Sequence, residues 1–232
     1  LRWESPKYGL VLPSRFIWLA EENNLLIKKI GKWVLEEACK FAGKLATAGY
    51  ADVQVGVNVS PRQLLADDFI DVVCQVIRDT GIEPRQLRLE ITENVFIRQM
   101  ESCKQKLAKL REYGVGLSLH DFGRGYSSLT YLRILPVDAL KLDKSFIEPM
   151  LVDERQMRLV ASIIDMAHVL GLSVTAEGVE TERQLVKLVE YLCDYIQGYV
   201  ISQPRPPEDV LAFLESTAAR VDLLSPWSRS QV

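Results

Sequence analysis

Cysteine is sparse in this chain: Cys39, Cys74, Cys103 and Cys193 stand far apart, and no Cys-x-x-Cys spacing occurs. That argues against a thiolate metal site or a dithiol redox centre and fits reduced cytosolic thiols. Long apolar runs are missing too. None approaches the roughly 18 residues of a membrane span, and no signal-peptide pattern is visible. Charge of one sign is nowhere concentrated: the net charge is −3 and no run of five like charges occurs. Duplex nucleic acid and anionic membranes are therefore poor partners by bulk charge. No Ser/Gly/Pro-rich tract divides the chain, so one domain is expected.

What is present is apolar material in a regular order. At 48% hydrophobic over 232 residues, the chain can bury one sizeable core. Short apolar runs (Val53–Val57, Leu87–Ile91, Val115–Leu119, Ala139–Leu142, Leu172–Ala176, Tyr195–Ile201) alternate with amphipathic stretches. In the segment Lys28–Gly49, for example, Ile30, Val34, Leu35, Ala38, Phe41, Ala42 and Leu45 recur on one helical face. Strand–helix alternation predicts parallel strands with crossover helices. Glu4–Leu12, with Pro6 and Gly9, reads as a loop, and Arg220–Val232, without periodicity, as a C-terminal tail.

Chemistry concentrates where the strands end. At or just beyond the ends of these runs stand Asn58, Glu90, His120-Asp121, Lys141 with Asp143, and Glu177, with Glu93, Glu180 and Gln197 close by. Between the third and fourth runs lies a loop with Gly123, Gly125, Ser127 and Ser128. Side chains at strand after strand favour a barrel, whose C-terminal face gathers every strand end, over an open sheet with a single crevice. Several carboxylates converging with an amide oxygen repel one another unless a cation sits among them, and oxygen-rich ligation suits Mg²⁺ or Mn²⁺. Two such ions suit phosphodiester hydrolysis. The plainer alternative is a set of structural ion pairs at the rim.

Six motifs in order, NVS at Asn58–Ser60, LEITE at Leu89–Glu93, DFGRGYSSL at Asp121–Leu129, KLD at Lys141–Asp143, AEGVE at Ala176–Glu180 and QGY at Gln197–Tyr199, resemble the EAL family of cyclic di-GMP phosphodiesterases and receptors. The resemblance implies an α/β, TIM-like (β/α)8 barrel with one antiparallel strand, here without its first strand. The EAL domain would span residues 1–219, with 220–232 as the tail. It further implies that Asn58, Glu90 and Asp121 bind metal, with His120 at a metal-ligand position. Lys141 and Glu177 would hold or activate the attacking water, and Asp143 belongs to the same catalytic set. Arg2 and Gln197 would contact the dinucleotide, and Glu93, Gly123 and Gly125 would anchor the loop Phe122–Ser128. Mg²⁺ or Mn²⁺ is the implied cofactor, with Ca²⁺ inhibitory. The implied partners are a second copy and an upstream sensor or GGDEF domain, in a cytoplasmic bacterial signalling protein.

Two departures shape the functional expectation. The family has Asp-Asp before Phe-Gly, whereas the first position here is His120, where a carboxylate shared by two ions is expected. A neutral imidazole offers one lone pair and no charge, so it cannot bridge. Arg124, where the family commonly has a small residue, adds positive charge to the loop. In addition, the Glu of the Glu-Ala-Leu signature would lie three residues ahead of Leu1. The reading is a degenerate EAL domain that binds cyclic di-GMP as a receptor with weak or no hydrolysis. The alternative is an active metal-dependent phosphodiesterase releasing linear pGpG.

Overall fold

The central strands run in one direction and in strict sequential order, and that order decides the architecture. A computed structural model describes residues 1–123 and 129–224, apart from the side chains of 94, 97, 98, 129–131 and 218–224. After an antiparallel pair, β1 (Trp3–Ser5) and β2 (Gly9–Val11), come α1 (Pro13–Glu22) and α2 (Asn24–Thr47). Then follow β3 (Val55–Val59), α3 (Pro61–Leu65), α4 (Phe69–Thr80), β4 (Leu87–Thr92), α5 (Phe96–Glu112), β5 (Gly116–Phe122) and α6 (Leu129–Ile134). The chain continues through β6 (Ala139–Leu142), α7 (Lys144–Ile147), α8 (Glu154–Val169), β7 (Ser173–Glu177), α9 (Glu182–Glu190), β8 (Tyr195–Gln197) and α10 (Pro207–Leu224).

The sheet order is β3-β4-β5-β6-β7-β8, all parallel. Each crossover moves one strand along in the same direction, with no reversal, so the sheet is wound singly, in the manner of a TIM-type barrel. The TIM-like expectation is met as a curled half-barrel of six parallel strands, whose edges are β3 and β8. Alternation along β3 shows how its two faces are used. Val57 and Val59 are buried under the helices, whereas Gly56 and Asn58 face the open side.

One continuous core joins the outward faces of the strands to the helices. Leu35, Cys39 and Ala42 of α2, Val73 and Ile77 of α4, Leu107 of α5, Val160 and Ile164 of α8 and Leu188 of α9 all belong to it. Among the described residues, no helix is long and apolar enough to cross a membrane.

Local chemistry explains the boundaries. Ser60 and Thr181 close capping boxes with Gln63 and Gln184, and Asp153 caps α8 through the Arg155 N–H at 2.8 Å. The segment read as a loop, Glu4–Leu12, contributes to a hairpin of two three-residue strands, too short to show a period in sequence. Only Tyr195–Gln197 of the run Tyr195–Ile201 is strand. Beyond it the Val179 N–H donates to the Gln197 carbonyl, and the Val200 and Ser202 N–H groups donate to Val179 and Gly198, turning the chain out of the sheet. The last helix runs to Leu224, into the segment read as tail; 225–232 lie outside the described residues.

At the C-terminal end of β5, Gly123 takes φ +93°, and a Cβ there would stand 2.2 Å from the Phe146 ring of α7. Both the backbone conformation and the space require glycine. Gly123→Ala is expected to destabilise the protein by about 1–3 kcal/mol, read from urea unfolding. A wild-type midpoint would show that the ring yields freely.

Candidate active site

Strand register assembles the site. Asn58 pairs with Glu90, Thr92 with His120, Lys141 with Thr175, and Glu177 with Gln197. Side chains two residues apart on a strand share a face, so Glu90 of β4, Lys141 of β6 and Glu177 of β7 meet on the concave side. Gly56 on β3 makes room for one of them: a Cβ there would lie 2.4 Å from Glu90 Oε1.

A strand alone would send His120 and Asp121 to opposite faces. The structure breaks that alternation. Pairing of β5 with β6 shifts register between Leu119 and Phe122, and Asp121 sits at φ +58°. This left-handed residue is the mark of a bulge, a device that re-aims side chains beside active sites at a cost of about 1–3 kcal/mol. As a result, His120 Nδ1 lies 3.3 Å from Asp121 Oδ1, while Nε2 lies 3.2 Å from Glu177 Oε2.

Lys141 links the other side of the cluster. Its ammonium donates to both oxygens of Glu90 at 2.8 Å and approaches Glu177 Oε1 at 2.6 Å. Lys141 and Glu90 are 6% and 8% exposed, so these charges are largely removed from water. Burial by itself would lower the His120 pKa, but the hydrogen bond to Glu177 and the charges of Glu177 and Asp121 outweigh burial and the opposing Lys141, so it is raised. Burial by itself would raise the Glu177 pKa; the His120 hydrogen bond and the Lys141 charge reverse that, and it is lowered. Each partner of this pair stabilises the charged form of the other.

One oxygen from Glu90, one ring nitrogen of His120 and one oxygen from Glu177 lie within 4.8 Å of one another, a grouping able to hold an ion. Two buried atoms there, His120 Nδ1 and Glu177 Oε1, lack a well-aligned hydrogen bond although an opposite charge is near each. The donors therefore fit one divalent cation. They fit a pair of ions poorly, because the position between Glu177 and Asp121 carries an imidazole in place of a shareable carboxylate.

The remaining expected residues are distributed unevenly. Asn58 is exposed beside Glu90. Asp143 is buried and caps α7 by accepting the Ser145 N–H at 2.9 Å. Glu93 is buried just beyond β4, while Glu180 is exposed past β7 with its N–H on Gln184. Arg2 is exposed. Its guanidinium donates to the Leu1 carbonyl, and it lines an apolar cavity of about 480 Å³ with Trp3, Phe16 and Trp33. Gly125 and Arg124 fall outside the described residues. Ser118, fully buried with an unpaired hydroxyl and pointing into the same concave space, was not among the expected residues. A serine inside an apolar run gives no sign of which face it takes until the register is known. His168 pairs with Asp194 at 2.8 Å on the outside.

A cavity of about 630 Å³ runs down the concave face, lined by Gly56, Arg88, Glu90, Ser118, Lys141 and Gln197 among others. Its lower end reaches Asp52 and Gln54. A closed eight-stranded barrel fills this space with side chains, so the volume reflects the open lumen of six strands. The acidic cluster at its upper wall is the chemically distinctive part.

A model of the EAL domain matches residues 1–204. The chain is 42% identical over 226 residues to the cyclic di-GMP phosphodiesterase NbdA of Pseudomonas aeruginosa, covering 97% of this chain and 28% of that protein. It is 39% identical over 212 residues to the bifunctional diguanylate cyclase/cyclic di-GMP phosphodiesterase MucR of the same organism, covering 91% of this chain and 31% of that one. It therefore spans less than a third of the length of these curated relatives. The solved structure of the PaMucR phosphodiesterase in a c-di-GMP complex superposes with TM-score 0.86 at 38% identity, covering 90% of this chain and 84% of that chain.

Two outcomes test this charge arrangement. The His120 contribution to stability is complete below its ordinary value of 6.5 and is lost as pH rises through its raised folded pKa. The Glu177 contribution is complete above 4.5 and is lost as pH falls through its lowered folded pKa. Without metal, the urea midpoint should therefore peak between these limits, and His120→Gln should remove the alkaline decline; a midpoint independent of pH would refute the pairing. Lys141→Met should destabilise the metal-free protein by about 3–5 kcal/mol, because it strands two buried carboxylates. An unchanged unfolding curve would show that Lys141 is not needed there.

Proposed function

We propose that this chain, which belongs to the EAL domain family, binds cyclic di-GMP as a signalling receptor and hydrolyses it slowly or not at all. The observation that carries this reading is the position of His120, between Glu177 at 3.2 Å and Asp121 at 3.3 Å. Metal ions in this family's hydrolytic members supply a nucleophile at neutral pH and charge stabilisation on the phosphate. The chain's own contribution to that chemistry is partly intact. In this reading Lys141, paired with Glu177, would hold a water and Glu177 would take its proton, with oxygens of Glu90 and Asn58 alongside. What is missing is the shared carboxylate. Its loss should cost several kcal/mol of transition-state stabilisation, or at least about a thousandfold in rate.

Nucleotide binding depends less on that carboxylate. In this reading Arg2 and Gln197 contact phosphate and base, and Gly123 and Gly125 with Glu93 shape the loop over the site. Arg2 would have to leave the Leu1 carbonyl to do so. MucR, a bifunctional diguanylate cyclase and phosphodiesterase, supports the reading of such a domain as one part of a larger protein with a GGDEF domain; an upstream sensor, a cytoplasmic location and homodimerisation belong to the same reading.

A second reading, a working phosphodiesterase that releases linear pGpG with Mg²⁺ or Mn²⁺ and is inhibited by Ca²⁺, is favoured by the intact Lys141–Glu90–Glu177 arrangement and by the activity for which NbdA is named.

Calorimetry and turnover on the full-length protein separate the two. Cyclic di-GMP should bind with a micromolar or tighter Kd in Ca²⁺. With Mg²⁺ or Mn²⁺, wild-type turnover should stand at least about a thousandfold below His120→Asp. Fast wild-type cleavage would establish the enzyme reading, and absence of binding would remove both.

A further inference from the structure

We propose that Glu90, His120 and Glu177 form a site for one borderline transition cation of the Zn²⁺ or Co²⁺ class, in place of a pair of hard Mg²⁺-type ions. The proposal concerns the same cluster as the receptor reading, but it can be tested without nucleotide.

The three donors come from β4, β5 and β7, the last two flanking β6, and their ligand atoms lie within 4.8 Å of one another. Around one ion with bonds of about 2.0–2.2 Å, ligand atoms stand roughly 3.3–4.4 Å apart, so small side-chain adjustments suffice. Two carboxylate oxygens with one imidazole nitrogen form a mixed set. Imidazole favours Zn²⁺, Co²⁺ and Ni²⁺, whereas Mg²⁺ prefers oxygen and gives up its waters reluctantly.

The orientation of the ring strengthens the assignment. Nε2 faces Glu177, and Nδ1 faces Asp121 Oδ1. An ion taken by Nε2 leaves the Nδ1–H to donate to Asp121, the carboxylate–imidazole–metal relay that fixes the tautomer and ring position of metal-bound histidines. In that arrangement the bulge at Asp121 serves the ring, and Asp121 is a positioning residue. Lys141 now supplies the positive charge between Glu90 and Glu177. An arriving dication adds to that charge, so the carboxylates are shared between lysine and ion. His120 Nδ1, which lacks a well-aligned hydrogen bond without metal, is then held as a donor to Asp121.

The experiment uses full-length protein stripped by chelator and titrated separately with Co²⁺, Zn²⁺ and Mg²⁺. Co²⁺ absorption in the visible reports nitrogen and oxygen ligation directly, and calorimetry gives the stoichiometry. Expected are one Co²⁺ or Zn²⁺ per chain and at least about a hundredfold weaker Mg²⁺. His120→Gln should abolish the cobalt bands. His120→Asp should reduce the preference for Zn²⁺ over Mg²⁺ at least about tenfold. Asp121→Asn should weaken Zn²⁺ about 10–100-fold with the cobalt bands retained, and His168→Ala should change nothing. Equal affinity for Mg²⁺ and Zn²⁺ in the wild type, or cobalt bands that survive His120→Gln in a protein with a native melting curve, would overturn the site. Nucleotide calorimetry on the same stripped protein is independent, so failure of the metal site leaves the receptor reading to stand or fall on its own result.

Discussion

The Lys141 ammonium, held between the carboxylates of Glu90 and Glu177, is the contact on which the concave face depends. Two acids from different strands cannot share a buried space without a compensating charge, and the nearest one is carried by the strand between them. Such a buried arrangement is a poor source of net stability, since desolvation offsets most of the attraction. Its value lies in position. Glu90 leans over Gly56, Lys141 spans the sheet, and Glu177 is left facing His120. Curvature of the sheet is what brings these strands close enough for one ammonium to reach both acids.

The bulge at Asp121 adds a second constraint. A regular β5 would present either His120 or Asp121 to the lumen, but the left-handed residue presents both, and the imidazole lies between two carboxylates. The cluster thereby gathers less unbalanced negative charge without metal: the Lys141 ammonium and the His120 ring face its acids. A carboxylate at position 120 would make the same site strongly acidic and in need of two cations. One residue thus changes what the cluster demands of its surroundings, while most of the neighbouring chemistry is preserved. This links the receptor reading and the single-ion reading, since both follow from an imidazole standing at a point where negative charge gathers ions.

Regions away from the cluster serve different ends. The Trp3–Phe16 edge contact and the cavity around Arg2 belong to the hairpin and first helices, whose apolar side chains are substantially exposed. His168, the second histidine, clamps the end of α8 to Asp194, whose Oδ2 also accepts the Val174 N–H at 2.7 Å. Burial would raise the Asp194 pKa, but these hydrogen bonds lower it. That pair fastens a helix to the sheet and has no part in the cluster.

Periodicity and strand-end chemistry were enough to read the strand–helix alternation, the TIM-like class and most of the acids near one mouth, because apolar spacing dictates which face of each element is buried. Ala139–Leu142 was legible to the residue, and the helix over Lys28–Gly49 to within four positions at each end. Short elements were not: three-residue strands at Trp3–Ser5 and Gly9–Val11 contain too few side chains to show a period. Nor could spacing reveal that Ser118 faces the lumen, since that depends on register, or that Asp143 caps α7 and Arg2 turns toward Leu1, since those depend on how each side chain rotates against its local backbone. The sequence by itself determined that an imidazole replaces an acid at position 120. Only the tertiary structure decided that a bulge aims it between Asp121 and Glu177 while Lys141 neutralises the far side, because those distances are set by how six strands curl around a common space.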